Sequence, residues 1–328
     1  MKKRLVLFLI GLLALIPLLG CPAPKGAPMG MAVEFMDHAA CAYISRDQGW
    51  FEEAGLKLTA YESFETGMAL AAALARDDIQ IAYVCLVPAV NVYANGGVPI
   101  KIVAGTHKYG YGLVADPDKI KTVNDLENPG IRLGCVREGG AVDVLMHRTI
   151  DKYGLDEEKV LANVQRMSPA QLVLAAKAGQ LDAAFLPEQW ATMTEEYGFS
   201  MLLTGQDIWP EMPGSMLVVK QGLIDDHPDV VQKLVDVSQT ATDWLNQYPT
   251  EAAEVVARQL RAAGNGNDST QLEITPEVLL RSMQRLEYAT DIDPQMVQET
   301  IDYIASLGYI KSGFKAEDIL DLSFMEAR

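Results

Sequence analysis

Gly139-Gly140 stands directly before a stretch with helical pattern, and Thr66-Gly67 stands before another. Small residues at such places let a ligand approach backbone N–H groups at the positive end of a helix, which suits a carboxylate, sulfonate or nitrate. Arg137 lies just upstream of the glycine pair and is the one basic side chain expected beside it. Glu188 works against a purely anionic ligand: a carboxylate there accepts a hydrogen bond from an amine or ring nitrogen, or pairs with an arginine at the surface. Tyr43, Phe64, Tyr109 and Trp190 offer faces for stacking on a flat ligand, or for ordinary packing. Cys41, Cys85 and Cys135 admit three readings: inert buried thiols, a Cys41–Cys85 disulfide across neighbouring strands, or a soft-metal ligand set. Spacing alone assigns no metal site, because His38, His107, His147 and His227 are scattered and no C-x-x-C occurs. No phosphate loop, Ser-His-Asp signature or H-E-x-x-H is visible, so no cofactor and no catalysis are expected.

These residues become a site only if the elements around them bring them together. Strand-like runs at 33–36, 56–61, 79–84 and 100–104 alternate with helical stretches at 39–54, 66–76 and 87–95. A similar alternation follows, with strands at 111–115, 131–136 and 181–186 and helices at 140–153 and 169–178. This order implies α/β units with a mainly parallel sheet covered by helices. Thr122 and Ser168 open capping boxes, and Gly154 stops a helix. A strand at 216–220 is expected to return to the first unit, and four apolar-periodic helices then fill 229–307. In open α/β sheets, ligands lie beyond the carboxyl ends of strands. That rule selects Asp37, His38, Cys41 and Tyr43 after the first strand, Ser63, Phe64 and Thr66 after the second, Cys85 and Leu86 after the third, and Arg137, Gly139, Gly140 and Glu188 in the second unit.

The N-terminus carries an address. Lys2, Lys3 and Arg4 precede an apolar run from Leu5 to Leu19, too short to span a bilayer. Leu18-Leu19-Gly20-Cys21 matches the bacterial lipobox, in which the cysteine is lipidated and the preceding residues are removed. Residues 1–20 are expected to be a lipoprotein signal peptide and 21–30 a tether. The net charge is −17, which excludes nucleic acid and an anionic lipid surface as partners of the folded body.

Four stretches together resemble the solute-binding proteins of ABC importers of the nitrate/sulfonate/taurine type, related to the thiamine-precursor-binding proteins. They are Trp50-Phe51-Glu52-Glu53-Ala54-Gly55-Leu56; Ile79 to Tyr83 with Tyr93 to Lys101; Val123-Asn124-Asp125-Leu126 with Pro129 to Gly134; and Ala175 to Ala184. The resemblance implies a two-lobed, type II periplasmic-binding-protein-like fold with a helical C-terminal region. Lobe 1 would take 31–110 plus 214–328 and lobe 2 would take 111–213, with the ligand in the cleft between them. It also implies a monomeric, extracytoplasmic protein, held to the membrane by lipid at Cys21, that hands a small solute to an ABC permease. The solute classes are sulfonate, nitrate, aromatic acid or pyrimidine. Two alternatives remain open: a ligand-sensing lipoprotein that signals to a membrane partner, and an enzyme like the pyrimidine synthase for thiamine.

Overall fold

Apolar, β-branched runs buried on both faces form the centre of the molecule, as sheets covered by helices on each side require. The computed structural model describes residues 29–264, 272–311 and 313–325. The first sheet contains β1 (Gly30–Glu34), β2 (Ala60–Phe64), β3 (Ile81–Cys85) and β4 (Ile100–Gly105). A short β5 (Lys108–Tyr109) then leads into the second sheet, built from β6 (Tyr111–Ala115), β7 (Leu133–Cys135), β8 (Val164–Arg166), β9 (Ala183–Pro187) and β10 (Ser200–Thr204). The chain returns through β11 (Ser215–Lys220), and β12 (Leu286–Glu287) pairs with β5.

The strand orders are β2-β1-β3-β11-β4 and β10-β6-β9-β7-β8. The expected return of the 216–220 strand to the first sheet is present, but the expected mainly parallel pairing is not. Each sheet is mixed. β11 runs antiparallel between β3 and β4, and β6 runs antiparallel to both β9 and β10. Strands that cross between sheets must enter from the opposite direction, and alternation of elements along the sequence does not reveal that reversal. The first helix also differs from the continuous 39–54 reading. Gly49, at φ +76°, divides it into Ala40–Asp47 and Trp50–Glu53. The first strand begins at Gly30, with Met29 already buried, so the folded body starts inside the segment read as tether. The signal peptide, Cys21 and the glycine- and asparagine-rich loop at 265–269 lie outside the described residues.

Two crossovers join the sheets and touch each other. The Tyr109 N–H donates to the Met212 carbonyl at 3.0 Å, and the Gly214 N–H donates to the His107 carbonyl at 3.0 Å. Lys108 pairs with Glu211 at 2.9 Å, and the Tyr109 hydroxyl donates to the same carboxylate at 3.0 Å. Tyr109 and Glu211 both hold left-handed backbone, at φ +63° and +60°. Gly110 follows at φ +86°, and a Cβ there would lie 2.6 Å from both His107 Cε1 and His38 Nε2. Only glycine fits that position on both counts.

The C-terminal helices Pro228–Gln247, Pro249–Ala263, Pro276–Met283 and Pro294–Ser306 each begin on proline, whose fixed φ suits the first helical position. Pro228–Gln247 and Pro249–Ala263 pack on Ala40–Asp47 and Pro294–Ser306 on Leu86–Ala94, whereas Pro276–Met283 packs on Glu188–Glu195. Arg285 pairs with Glu188 at 2.9 Å and with Glu195 at 3.0 Å. Arg148 pairs with Glu299 at 3.1 Å, and the Tyr303 hydroxyl donates to Asp151 at 2.6 Å. No described helix is long and apolar enough to cross a membrane.

Candidate functional site

Between the sheets lies a narrow cleft of about 40 Å³. The first turns or caps of five helices reach it. Gly67 and Met68 open Gly67–Ala75, Pro88 is in the first turn of Leu86–Ala94, and Gly140 caps Ala141–Tyr153. Pro169 is the first residue of Pro169–Lys177, and Pro187 precedes Glu188–Glu195. Each such end carries roughly half a positive charge from unsatisfied N–H groups. The remaining wall is largely apolar, with Met36, Val136 and Val142, while Arg137 stands exposed at the rim. This arrangement favours a small ligand that presents negative charge or hydrogen-bond acceptors to backbone donors.

The floor is polar and buried. Glu34 ends β1 and is 1% exposed. Its Oε2 accepts from the Cys85 N–H at 3.2 Å, the Cys85 thiol at 3.0 Å and the Ser215 hydroxyl at 3.2 Å. Sheet register creates this meeting, because antiparallel pairing sets Ser215 opposite Cys85. The other oxygen, Oε1, fills the place a Cβ on Gly67 would take, only 2.2 Å away. Burial pushes the Glu34 carboxyl up to about 7, partly offset by its three donors. The Tyr111 hydroxyl, from the first strand of the second sheet, donates to Cys85 Sγ at 2.9 Å. His38 lies behind Cys85, its Nδ1 3.7 Å from the sulfur and its Nε2 2.7 Å from the Gly110 carbonyl. Burial and the neighbouring His107 ring, 4.3 Å away, hold His38 well below the ordinary histidine range.

The residues selected from sequence separate into groups. Thr66, Cys85, Arg137 and Gly140 line the cleft. Thr66 also caps its helix by accepting from the Ala69 N–H at 3.3 Å. Gly139 lies one residue outside, at φ +76°, where its N–H donates to Asp143 at 2.9 Å and its carbonyl accepts from Asn91 at 3.2 Å. His38 and Tyr43 form a layer behind the floor, and the Tyr43 hydroxyl reaches the Glu34 carbonyl at 2.9 Å and Ser63 Oγ at 3.2 Å. Phe64 packs against the core at the end of β2. Cys41 is enclosed in a helix, where burial pushes its thiol up to about 12. Tyr109 belongs to the crossover. Glu188 is 1% exposed and turned away from the cleft toward Arg285, the arginine-paired alternative.

The Cys41–Cys85 disulfide does not form: Cys41, Cys85 and Cys135 are all free and buried. Glu34 and Tyr111 were not selected from sequence, although an acid inside the apolar run Gly-Met-Ala-Val-Glu-Phe-Met is a visible signal. A second buried acid, Asp37, is pushed up to about 7 by burial and is hydrogen-bonded by Ser282. Asp37 Oδ1 has no hydrogen-bond partner among the described residues.

A family model described as the NMT1-like family matches residues 23–261. A protein of Brucella abortus (strain 2308) described as a binding protein is 25% identical over 165 residues, covering 47% of this chain and 50% of that one. The match thus spans about half the length of that relative. A protein of Bacillus subtilis (strain 168), described as an aliphatic sulfonates-binding protein, is 23% identical over 294 residues, covering 86% of this chain and 83% of that one. Among solved structures, the alkanesulfonate-binding protein of Xanthomonas axonopodis pv. citri bound to MOPS superposes with a TM-score of 0.75 at 16% identity, over 92% of this chain and 100% of that one. The two-lobed fold is therefore that of the periplasmic binding proteins.

Proposed function

Since the chain belongs to the NMT1-like family, we propose that it is an extracytoplasmic solute-binding protein that delivers a small molecule to an ABC importer. The observation that carries this reading is the cleft between two sheets, ringed by the first turns or caps of five helices. A helix end recognises its ligand without transforming it. Lobe 1, residues 31–110 plus 214–328, and lobe 2, residues 111–213, close on the solute about the paired crossovers. Closure is driven by the solute's greater affinity for the closed form. The closed protein, a monomer lipid-anchored through Cys21, then docks on a permease. The relatives described as sulfonate-binding support an anionic solute, and sulfonates come first among sulfonate, nitrate, aromatic-acid and pyrimidine classes.

A thermal-shift screen of the mature chain across these classes tests the reading. A solute at 100 times its dissociation constant stabilises by about 2.7 kcal/mol, a rise of a few degrees for a protein of this size. A saturable shift confined to one class supports the proposal and names the class. The absence of any shift, after unfolding and refolding to remove a retained ligand, counts against it. Mass spectrometry of the membrane-derived N-terminus tests the anchor: an acylated Cys21 is expected, and an unmodified N-terminus that ends elsewhere removes it.

A further inference from the structure

Glu34, His38 and Cys85 bring a carboxylate, an imidazole and a thiol together at the floor of the cleft, with candidate ligand atoms all within 4.8 Å of one another and all three residues buried. We infer that these three side chains form a site for a divalent cation of borderline-soft character, with its fourth position opening into the cleft. The inference rests on the solute-binding reading, because it makes the cleft's occupant a cation or a solute that shares one.

Geometry and hydrogen bonding both support the assignment. Metal–ligand bonds of about 2.0 Å to nitrogen and oxygen and about 2.3 Å to sulfur bridge separations of this size. The Gly110 carbonyl, 2.7 Å from His38 Nε2, can only accept, so it fixes the proton on that nitrogen. The Nδ1 lone pair is left directed toward Cys85 Sγ, 3.7 Å away. A carbonyl that fixes the far nitrogen of a ligating imidazole is the usual outer partner of a metal-bound histidine. The hydroxyl of Tyr111, at 2.9 Å, stabilises Cys85 as a thiolate. Binding releases the thiol proton, and any proton on Glu34, to solvent.

Charge balance points the same way. A thiolate beside a carboxylate is costly in a buried site, and a divalent ion neutralises both. The donor set of one oxygen, one nitrogen and one sulfur suits zinc or cobalt over magnesium or calcium, which take oxygen ligands. Glu34 and Cys85 line the cleft directly, so three protein ligands leave a position that water or an acceptor atom of a solute completes.

Cobalt(II) titration of the chelator-treated full chain, under reducing and anaerobic conditions, tests this. One equivalent is expected to produce a thiolate-to-cobalt charge-transfer band and the visible bands of a four-coordinate ion, and to raise the melting temperature. Both signals should vanish in Cys85→Ser and His38→Gln and persist in Cys21→Ala, Cys41→Ala and Cys135→Ala. Glu34→Gln keeps the carbonyl oxygen that accepts the floor's hydrogen bonds. It is expected to fold and to bind cobalt at least tenfold more weakly, which keeps the test decisive should Cys85→Ser fail to fold. Absence of the charge-transfer band, or its persistence in Cys85→Ser, overturns the site. If the band is absent while a solute of any class in the screen still raises the melting temperature, the cation site falls and the solute-binding reading stands. If neither occurs, both fall.

Discussion

Glu34 is held in the folded chain with its carboxyl pushed up to about 7 by burial, against an ordinary value near 4.5. Such a group binds its proton more tightly when folded. Its contribution to stability is complete below its unfolded value and is lost as the pH rises through about 7. Each pH unit in that window removes about 1.4 kcal/mol. In the chelator-treated chain, Glu34→Gln is therefore expected to match the wild type near pH 4 and to be more stable by about 3 kcal/mol at pH 8. Denaturant titrations at the two pH values check this, and an equal difference at both would refute the burial account. The cysteines give a second expectation at this scale. Cys41 and Cys135 are pushed up to about 12 by burial, and Cys85 is also raised by burial. Alkylation should leave all three untouched in the native chain and modify all three in denaturant without reductant, with mass spectrometry reporting each site.

The crossovers are the elements about which the proposed closure would turn. Gly110→Ala forces left-handed backbone on a residue with a Cβ and drives that atom against the His38 and His107 rings. A loss of about 2–4 kcal/mol is expected, combining the backbone and overpacking costs. A melting temperature within a degree of wild type would show that the histidine pair moves aside freely. The elements themselves were largely visible in the sequence: Tyr111–Ala115, Ala141–Tyr153 and the Thr122 and Ser168 capping boxes follow local patterns. The four residues among the sequence candidates that line the cleft are at strand ends or helix starts, where the strand-end rule applies directly. What local pattern lacks is long-range register. Glu34, Cys85 and Ser215 meet because β11 is inserted antiparallel beside β3, and β11 lies 130 residues after Cys85. Alternation also carries no sign of short strands such as β5, β8 and β12, whose pairing partners are remote or which hold only two or three residues.

Across the whole molecule, a few contacts near the cleft join the parts that carry the two sheets. The Tyr309 hydroxyl, from the C-terminal region, donates to Asp143 at 2.5 Å and lies 3.1 Å from His147 Nε2, while Asn91 reaches the Gly139 carbonyl. A hydrogen bond to a charged acceptor contributes roughly 1.5–3 kcal/mol, less where solvent reaches it. Tyr309→Phe is expected to enlarge the radius of gyration of the free protein in small-angle scattering and to weaken solute binding by up to about tenfold. An unchanged radius and affinity would mean that the C-terminal contact does not hold the lobes. The strand order has a consequence in time as well as in space. The second sheet is drawn from one continuous stretch of chain, Tyr111 to Thr204, whereas the first remains without the strand between β3 and β4 until Lys220 has been made. Non-local pairing of this kind is slow, since the intervening chain must be closed before any contact rewards it. Pulse-labelled hydrogen exchange during refolding should protect the amides of 111–204 first and those of β1, β3 and β4 later. Ser215 would then arrive beside Cys85 and Glu34 at the end of folding, so that the floor of the cleft is the last part of the protein to be assembled.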